Sequence, residues 1–266
     1  MLDGKICLVT GSARGIGRAT AIEMARQGAA AVAISDINEE GGRQTVELVK
    51  EAGADSEYIG CDMTDREQVQ ALIEKTVERF GGLDTLHNNA GVHESDFTTD
   101  LSVETLPEEI FDRIYAINLR GPWLAMKYAA PHLRRSTRGP SIVNAGSTGG
   151  VIGYPSMNAY GATKAGLIQL TRCVAVDLAP AVRVNTYTPA SVDTPMVQKF
   201  TEAAETSEQR RAIESTMVAT HLIPRLGRPE EVAKLVCYLA SDDAAWITGA
   251  VFSIDGGCLA WRGSNA

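Results

Sequence analysis

Lys5-Ile-Cys-Leu-Val-Thr-Gly-Ser-Ala-Arg-Gly-Ile-Gly17 is the stretch that decides the fold. Lys5 to Thr10 is a short apolar run, a buried strand by its length and bounding turns. Gly11, Ser12, Ala13, Arg14, Gly15, Ile16 and Gly17 follow, and a helical pattern then runs to Gly28. A glycine-rich turn between a strand and a helix start is a seat for a diphosphate. Glycine lets the backbone approach closely, and the unpaired amides and helix dipole favour an anion. The spacing is Gly-x-x-x-Gly-x-Gly rather than the commoner Gly-x-Gly-x-x-Gly. Its place after the first strand favours phosphate binding over an ordinary tight turn.

The same alternation continues outward. Ala31 to Ser35 reads as a second strand with Asp36 at its end, and Glu39 to Ala52 as a helix. Glu57 to Cys61 is a third strand, Asp65 offers an N-cap for a helix to Phe80, and Leu83 to Asn88 is a fourth strand. This order predicts an α/β fold: a doubly wound, Rossmann-type parallel sheet with helices on both faces and ligands at the carboxyl ends of its strands. A helix is expected from Pro107 through Leu119, interrupted at Gly121-Pro122 and resumed from Trp123 to Leu133. Strands are expected at Ser141 to Asn144, Arg183 to Thr188 and Val251 to Ile254, and helices at Asn158 to Leu178 and Glu230 to Leu239. No internal repeat, low-complexity tract or linker divides the chain, so residues 1–266 read as a single domain. Residues 189–216 are the least regular part. They read as a substrate lid or as an ordinary surface helical pair.

Composition narrows the function. The chain has 266 residues, 44% hydrophobic and 22% charged, enough apolar material for a large core. Its net charge of -8, without a Lys/Arg cluster, argues against nucleic acid or an anionic membrane as partner. No apolar run is long enough to span a bilayer, and no signal-peptide pattern opens the chain. The five cysteines are scattered, without Cys-x-x-Cys, and read as reduced thiols of a cytoplasmic protein. The four histidines lack metal-ligand spacing, so no metal site is expected.

The chemistry gathers near Ser147. Tyr160 and Lys164 stand one helical turn apart on one face, and the glycine-rich loop before them can bring Ser147 over the phenol. A tyrosine with a pKa of ~10 is a poor proton carrier at neutral pH. Lowering it to ~7 takes ~4 kcal/mol, about what one ammonium ~4 Å away supplies at an effective dielectric of ~20. Burial acts in the opposite sense. A lone Tyr-x-x-x-Lys is more often a surface pair, so the rest of the chain has to carry the reading. Asp36, about twenty positions past the glycine loop, suits an adenosine ribose and repels a 2′-phosphate, which favours NAD over NADP. Arg14 dissents, because a basic residue in that loop can meet a phosphate.

Taken together, these residues resemble the short-chain dehydrogenase/reductase family over essentially the whole chain. The matching motifs are Thr10 to Gly17, Asp62, Asn88-Asn89-Ala90-Gly91, Asn118, Ser147, Tyr160 with Lys164, Asn185, Pro189 with Thr194, and Ile247-Thr248-Gly249. The resemblance implies an oxidoreductase that moves a hydride between NAD(H) and a secondary alcohol or ketone. Tyr160 would be general acid/base, Lys164 would lower its pKa and hold the nicotinamide ribose, Ser147 would bond the substrate oxygen, and Asn118 would hold a relay water. Gly11, Ser12, Arg14, Gly15, Ile16 and Gly17 would take the diphosphate and Asp36 with Ile37 the ribose. Asp62 and Met63 would flank the adenine, Asn89, Ala90 and Gly91 would line the cofactor path, and Pro189, Val192 and Thr194 would meet the carboxamide. The substrate wall would come from His93, Ser147, Gly149, Val151, Tyr154, Met157, Ala190 and Met196, a mix that suits an apolar, cyclic substrate.

The resemblance also implies a homotetramer with the helices around Asn118 and Tyr160 at one interface. Two rival readings are an NADPH-linked 3-oxoacyl carrier-protein reductase and a non-catalytic nucleotide-sensing protein on the same fold. Three positions depart from the family pattern. Ala190 stands where glycine is usual, at a cost of ~1–2 kcal/mol if that residue must be left-handed. Gly146 stands where a second serine is common and is expected to loosen its loop. His87 replaces an apolar residue and is expected to be packed.

Overall fold

Seven parallel strands lie side by side in the order β3-β2-β1-β4-β5-β6-β7. The computed structural model describes residues 1–261 apart from positions 203 and 205. The strands are β1 (Ile6–Thr10), β2 (Ala31–Ser35), β3 (Asp55–Tyr58), β4 (Thr85–Asn88), β5 (Ser141–Ala145), β6 (Arg183–Pro189) and β7 (Val251–Ile254). The helices between them are α1 (Gly15–Arg26), α2 (Glu39–Glu51), α3 (Arg66–Phe80), α4 (Glu108–Tyr115), α5 (Gly121–Leu133), α6 (Asn158–Leu178), α7 (Pro195–Glu202), α8 (Ser207–Val218) and α9 (Pro229–Ala240).

Side chains alternate across each strand, so the sheet feeds two cores. Cys7 and Val9 of β1 point to one, with Met24 of α1, Val49 of α2 and Val236 of α9. Leu8 points to the other, with Leu72 of α3, Leu124 of α5 and Leu178 of α6. The strand order reverses between β1 and β4, which opens a crevice at their carboxyl ends.

Two expectations need correction. The third strand is Asp55–Tyr58, not Glu57 to Cys61. Its register is set by pairing with β2, from Ala31 with Asp55 to Ile34 with Tyr58. Gly121-Pro122 does not interrupt the helical segment either. A π-helical turn, Ala116–Arg120, joins α4 to α5 without a break. Pro122 is tolerated because it falls in the first turn after this change of pitch. Asn118 lies inside the π turn, a distortion that is frequent at functional sites.

Residues 189–216 carry α7 and α8, with positions 203 and 205 of that stretch outside the described residues. Lys199 of α7 pairs with Asp96, and Phe200 meets the His93 ring edge-on, so α7 is tied across the crevice to the turn at residues 93–96. Of the five cysteines, Cys173 on α6 is exposed and the other four are buried. Burial pushes the Cys7 and Cys61 thiols up to about 12. No helix among the described residues is long and apolar enough to cross a membrane, and no group of His, Cys, Asp or Glu among them is arranged to hold a metal.

Candidate active site

The glycine turn is built for close approach. Gly11 has φ +63°, and a Cβ there would fall 2.7 Å from the Ala90 Cα. Thr10 draws the ends of β1 and β4 together: its Oγ1 accepts from the Asn89 and Ala90 amides, both at 3.1 Å, and Asn89 Nδ2 donates to the Thr10 and Gly11 carbonyls. At the end of β2, Asp36 Oδ2 accepts from the Ala13 amide at 2.9 Å. Its Oδ1 accepts from the Asn38 amide at 3.0 Å. A carboxylate is thereby fixed against the glycine turn, within the crevice.

The crevice, about 870 Å³, is lined by Gly11, Arg14, Gly15, Ile16, Asp36, Ile37, Asp62, Met63, Asn89, Ala90, Gly91, Tyr160, Lys164, Pro189, Thr194 and Met196 among the anticipated residues. That volume is at the large end for a small-molecule site. Ser12, Gly17 and Val192 lie beneath the wall instead. Ser12 Oγ donates to the Val9 carbonyl, and a Cβ on Gly17 would collide with the Gly11 carbonyl. Val192 is buried and pairs through its backbone with Gly227.

The four residues singled out for chemistry do come together. Lys164 is buried on α6 and donates to the Ala145 carbonyl at 2.7 Å. Its Nζ lies 5.6 Å from the centre of the Tyr160 ring. Ser147, extended and buried just past the end of β5, stands beside the Tyr160 phenol, and its Oγ accepts from the Gly149 amide at 3.0 Å. Asn118 clasps the backbone of Val92, with Oδ1 accepting from its amide and Nδ2 donating to its carbonyl, both at 2.9 Å. A Cβ on Gly91 would stand 3.3 Å from Lys164 Nζ and 3.4 Å from Asn118 Oδ1. Glycine at 91 therefore keeps open a small polar gap between lysine and asparagine.

The electrostatics differ from the expected lysine-dominated balance. Burial pushes the Tyr160 phenol above its ordinary range, the Ser147 hydrogen bond pulls it back, and Glu94 adds to the rise. Burial alone pushes Lys164 down to about 8.

On the substrate side, a Cβ on Gly149 would lie 3.4 Å from Ser147 Oγ, 3.5 Å from Met157 Sδ and 3.6 Å from a Tyr160 ring carbon, so these four close on one another. His93 is buried with its ring centre 5.2 Å from that of Tyr160. Tyr154 packs its hydroxyl on Cys258 and Thr148, which pushes the phenol up to about 12 through burial and the cysteine contact. Val151 is half exposed.

The three departures resolve as follows. Ser156 is the one non-glycine residue with positive φ among those described, so Ala190 bears no left-handed strain. Gly146 does not loosen its loop. Its amide donates to the Tyr187 carbonyl at 2.8 Å, and a Cβ would meet that same oxygen at 2.8 Å. His87 is packed, as expected, with Nε2 3.1 Å from the hydroxyl of the buried Tyr187. Burial takes its imidazole down to about 3, so the ring stays neutral. Tyr187, passed over as an ordinary strand residue, and Thr10, read only as the start of the glycine motif, both line the crevice. A large phenol among the small residues of β6 was the available signal.

Comparison with known proteins agrees with this geometry. A family model described as Enoyl-(Acyl carrier protein) reductase matches residues 11–258. The chain is 38% identical to 3-oxoacyl-[acyl-carrier-protein] reductase FabG of Thermotoga maritima, over 97% of this chain and 99% of that one. It is 34% identical to cyclohexanol dehydrogenase of an Acinetobacter species, over 96% and 94%. The crystal structure of levodione reductase superposes with a TM-score of 0.90 at 32% identity, covering 98% of this chain and 100% of that one. With its parallel sheet, its glycine turn after β1 and Ser147, Tyr160 and Lys164 gathered at the crevice, the chain belongs to the short-chain dehydrogenase/reductase family of oxidoreductases.

Proposed function

We propose that the protein is an NAD-linked dehydrogenase/reductase acting on a secondary alcohol or its ketone. The observation that carries this reading is that Tyr160 and Lys164, with Ser147 beside the phenol, line the same crevice as the glycine turn. The residues present fit a dinucleotide. Gly11 lines the crevice without a side chain to obstruct it, and α1 begins at Gly15 and Ile16, which line the same space, where a helix start suits an anion. Asp36 supports NAD, because a 2′-phosphate beside a fixed carboxylate is repelled. When bound, the cofactor supplies the acceptor or donor of hydride.

The chain supplies position and protons. Ser147 would hold the substrate oxygen, and Tyr160 would take its proton in oxidation or give one in reduction. Lys164 stands beside the phenol and, among the described residues, is the side-chain cation that both lines the crevice and contacts the Tyr160 ring. The gap kept by Gly91 would hold a water between Lys164 and the 118 region. Pro122 lacks the N–H that an α-helix would offer the Asn118 carbonyl, which leaves that oxygen suited to such a water. Met196 on the wall, with Met157 beside Gly149 and Phe200 against His93, supports a cyclic substrate, a class that the names of cyclohexanol dehydrogenase and levodione reductase also describe. The partly exposed Phe111, Tyr115 and Trp123 on α4 and α5 and Val176 on α6 support the family's homotetramer, and a cytoplasmic location fits four buried, unpaired cysteines.

The relative named as a 3-oxoacyl carrier-protein reductase favours a second reading, with NADPH as cofactor and an acyl carrier protein as partner. Arg14, exposed on the crevice lip, is the one residue that suits it, and Asp36 opposes it. A panel of cyclic secondary alcohols and ketones, followed by absorbance of the reduced nicotinamide, tests the proposal. Turnover with NAD or NADH is expected, at a kcat/KM well above that with the phosphorylated cofactor. Tyr160→Phe is expected to abolish turnover while NADH still binds. Full activity of that variant, or a preference for NADPH, overturns the corresponding part.

A further inference from the structure

Glu94 is a carboxylate with no place in the scheme above, yet it is completely buried beside Tyr160. It opens a one-turn 3-10 helix, Glu94–Asp96, that follows the Asn-Asn-Ala-Gly strand end. Its Oε1 accepts from the Tyr160 amide at 2.7 Å, across 66 positions of chain. Tyr160 is the third residue of α6, so its amide is one of those a helix leaves without an internal partner. Met157, at the N-cap position, gives no side-chain hydrogen bond to that turn. The catalytic helix therefore takes its cap from a distant loop, with the negative charge at the positive end of the helix dipole.

The second oxygen, Oε2, has no hydrogen-bond partner among the described residues. It faces His93 Nε2 at 3.5 Å, which has none either. His93 Nδ1 accepts from the Ser95 amide at 3.1 Å, so the proton of the neutral ring sits on Nε2, toward Glu94. Burial holds His93 below its ordinary pKa against the pull of Glu94 and Asp96. The imidazole thus offers Glu94 a dipole at neutral pH rather than a countercharge. The other charged groups around this cluster are Asp96 on the same turn, paired with Lys199 of α7, and Lys164 one turn along α6.

We propose that Glu94 is a positioning residue for Tyr160, whose buried carboxylate, backed by His93, fixes the start of the catalytic helix and sets the charge beside the phenol. A serine or threonine cap would anchor the amide equally well. What the carboxylate adds is a negative field that disfavours phenolate. That biases the site toward the protonated phenol, the form that donates a proton to a carbonyl, and displaces alcohol oxidation to higher pH. This inference rests on the reading of Tyr160 as acid/base.

The test does not require a known substrate. The near-ultraviolet absorbance of phenolate is titrated in the full chain and in Tyr160→Phe, and the difference isolates Tyr160. The same pair is then made in a Glu94→Gln background, which keeps an acceptor for the Tyr160 amide and removes the charge. The Tyr160 midpoint is expected to fall by about one pH unit in Glu94→Gln. An unchanged or raised midpoint overturns the proposal. Glu94→Ala is expected to melt lower than Glu94→Gln, and equal melting of the two overturns the anchoring half. If Tyr160→Phe keeps full turnover, the acid/base reading falls by itself. If that variant is dead and the titration does not move, only the role of Glu94 is lost.

Discussion

Asp36 carries two tasks on one side chain. Its oxygens hold the Ala13 and Asn38 amides, which shape the glycine turn, and its charge faces the space where a ribose would lie. Asp36→Asn keeps an acceptor and deletes the charge. The ratio of kcat/KM for NAD to that for NADP is expected to drop about tenfold or more, since removing one close charge relieves over ~1.4 kcal/mol. An unchanged ratio in steady-state assays would show that charge at 36 does not choose the cofactor. Residues such as Asp36, Tyr160 and Lys164 were legible because their neighbours in sequence declare their place: a strand end, or one face of a helix. Glu94 was not. Its partner is 66 positions away, and the stretch from His93 to Thr105 has no period to say which side chain turns inward. His87 was noticed, but its bond to Tyr187 joins strands separated by β5, a relation that no local pattern contains.

Between elements, Gly146 is a tight constraint beside the site. It follows β5 directly, and a Cβ there would lie 2.8 Å from the Tyr187 carbonyl of β6, so a methyl has nowhere to go. Gly146→Ala is expected to cost about 1–3 kcal/mol, read as a lower Tm, with a fall in kcat because Ser147 is the next residue. A variant of unchanged Tm and kcat would mean that the β5 end yields freely.

At the start of α9, Glu231 accepts a two-pronged bond from Arg225 and also caps the Arg228 amide, which takes its pKa down to about 2. Because the folded pKa lies below the ordinary 4.5, the stabilisation is complete above that pH and fades as pH falls from there toward about 2. The Tm gap between the wild type and Glu231→Gln should therefore be constant near neutrality and shrink on acidification. A gap that grows in acid would contradict it. The elements themselves were readable from strand and helix periods to within a few residues. The π turn was not, because Gly121-Pro122 looks the same in a helix break as in a change of pitch.

For the molecule as a whole, the sheet divides labour between its edges. The amino edge is a set of permanent ties: buried Lys5 donates to Gly139, Ala240 and Asp242, and buried Asp84 accepts from Ile6, Ser136 and Arg138. The carboxyl edge keeps its polar groups for the crevice, with α7 laid across it from Lys199 to Asp96. That division follows from parallel strands and was foreseeable once the alternation of strand and helix was read. Which loop residues cross the crevice was not.

The uneven distribution of sulfur gives the molecule a built-in reporter. Cys173 is the one exposed thiol, it sits on the helix that carries Tyr160, and burial holds three of the others, Cys7, Cys61 and Cys237, protonated at neutral pH. A maleimide dye should therefore attach once per native chain and at the remaining sites only after denaturant. If neighbouring copies pair through α6, dilution should speed that single attachment, and a rate independent of concentration would place α6 outside any such contact.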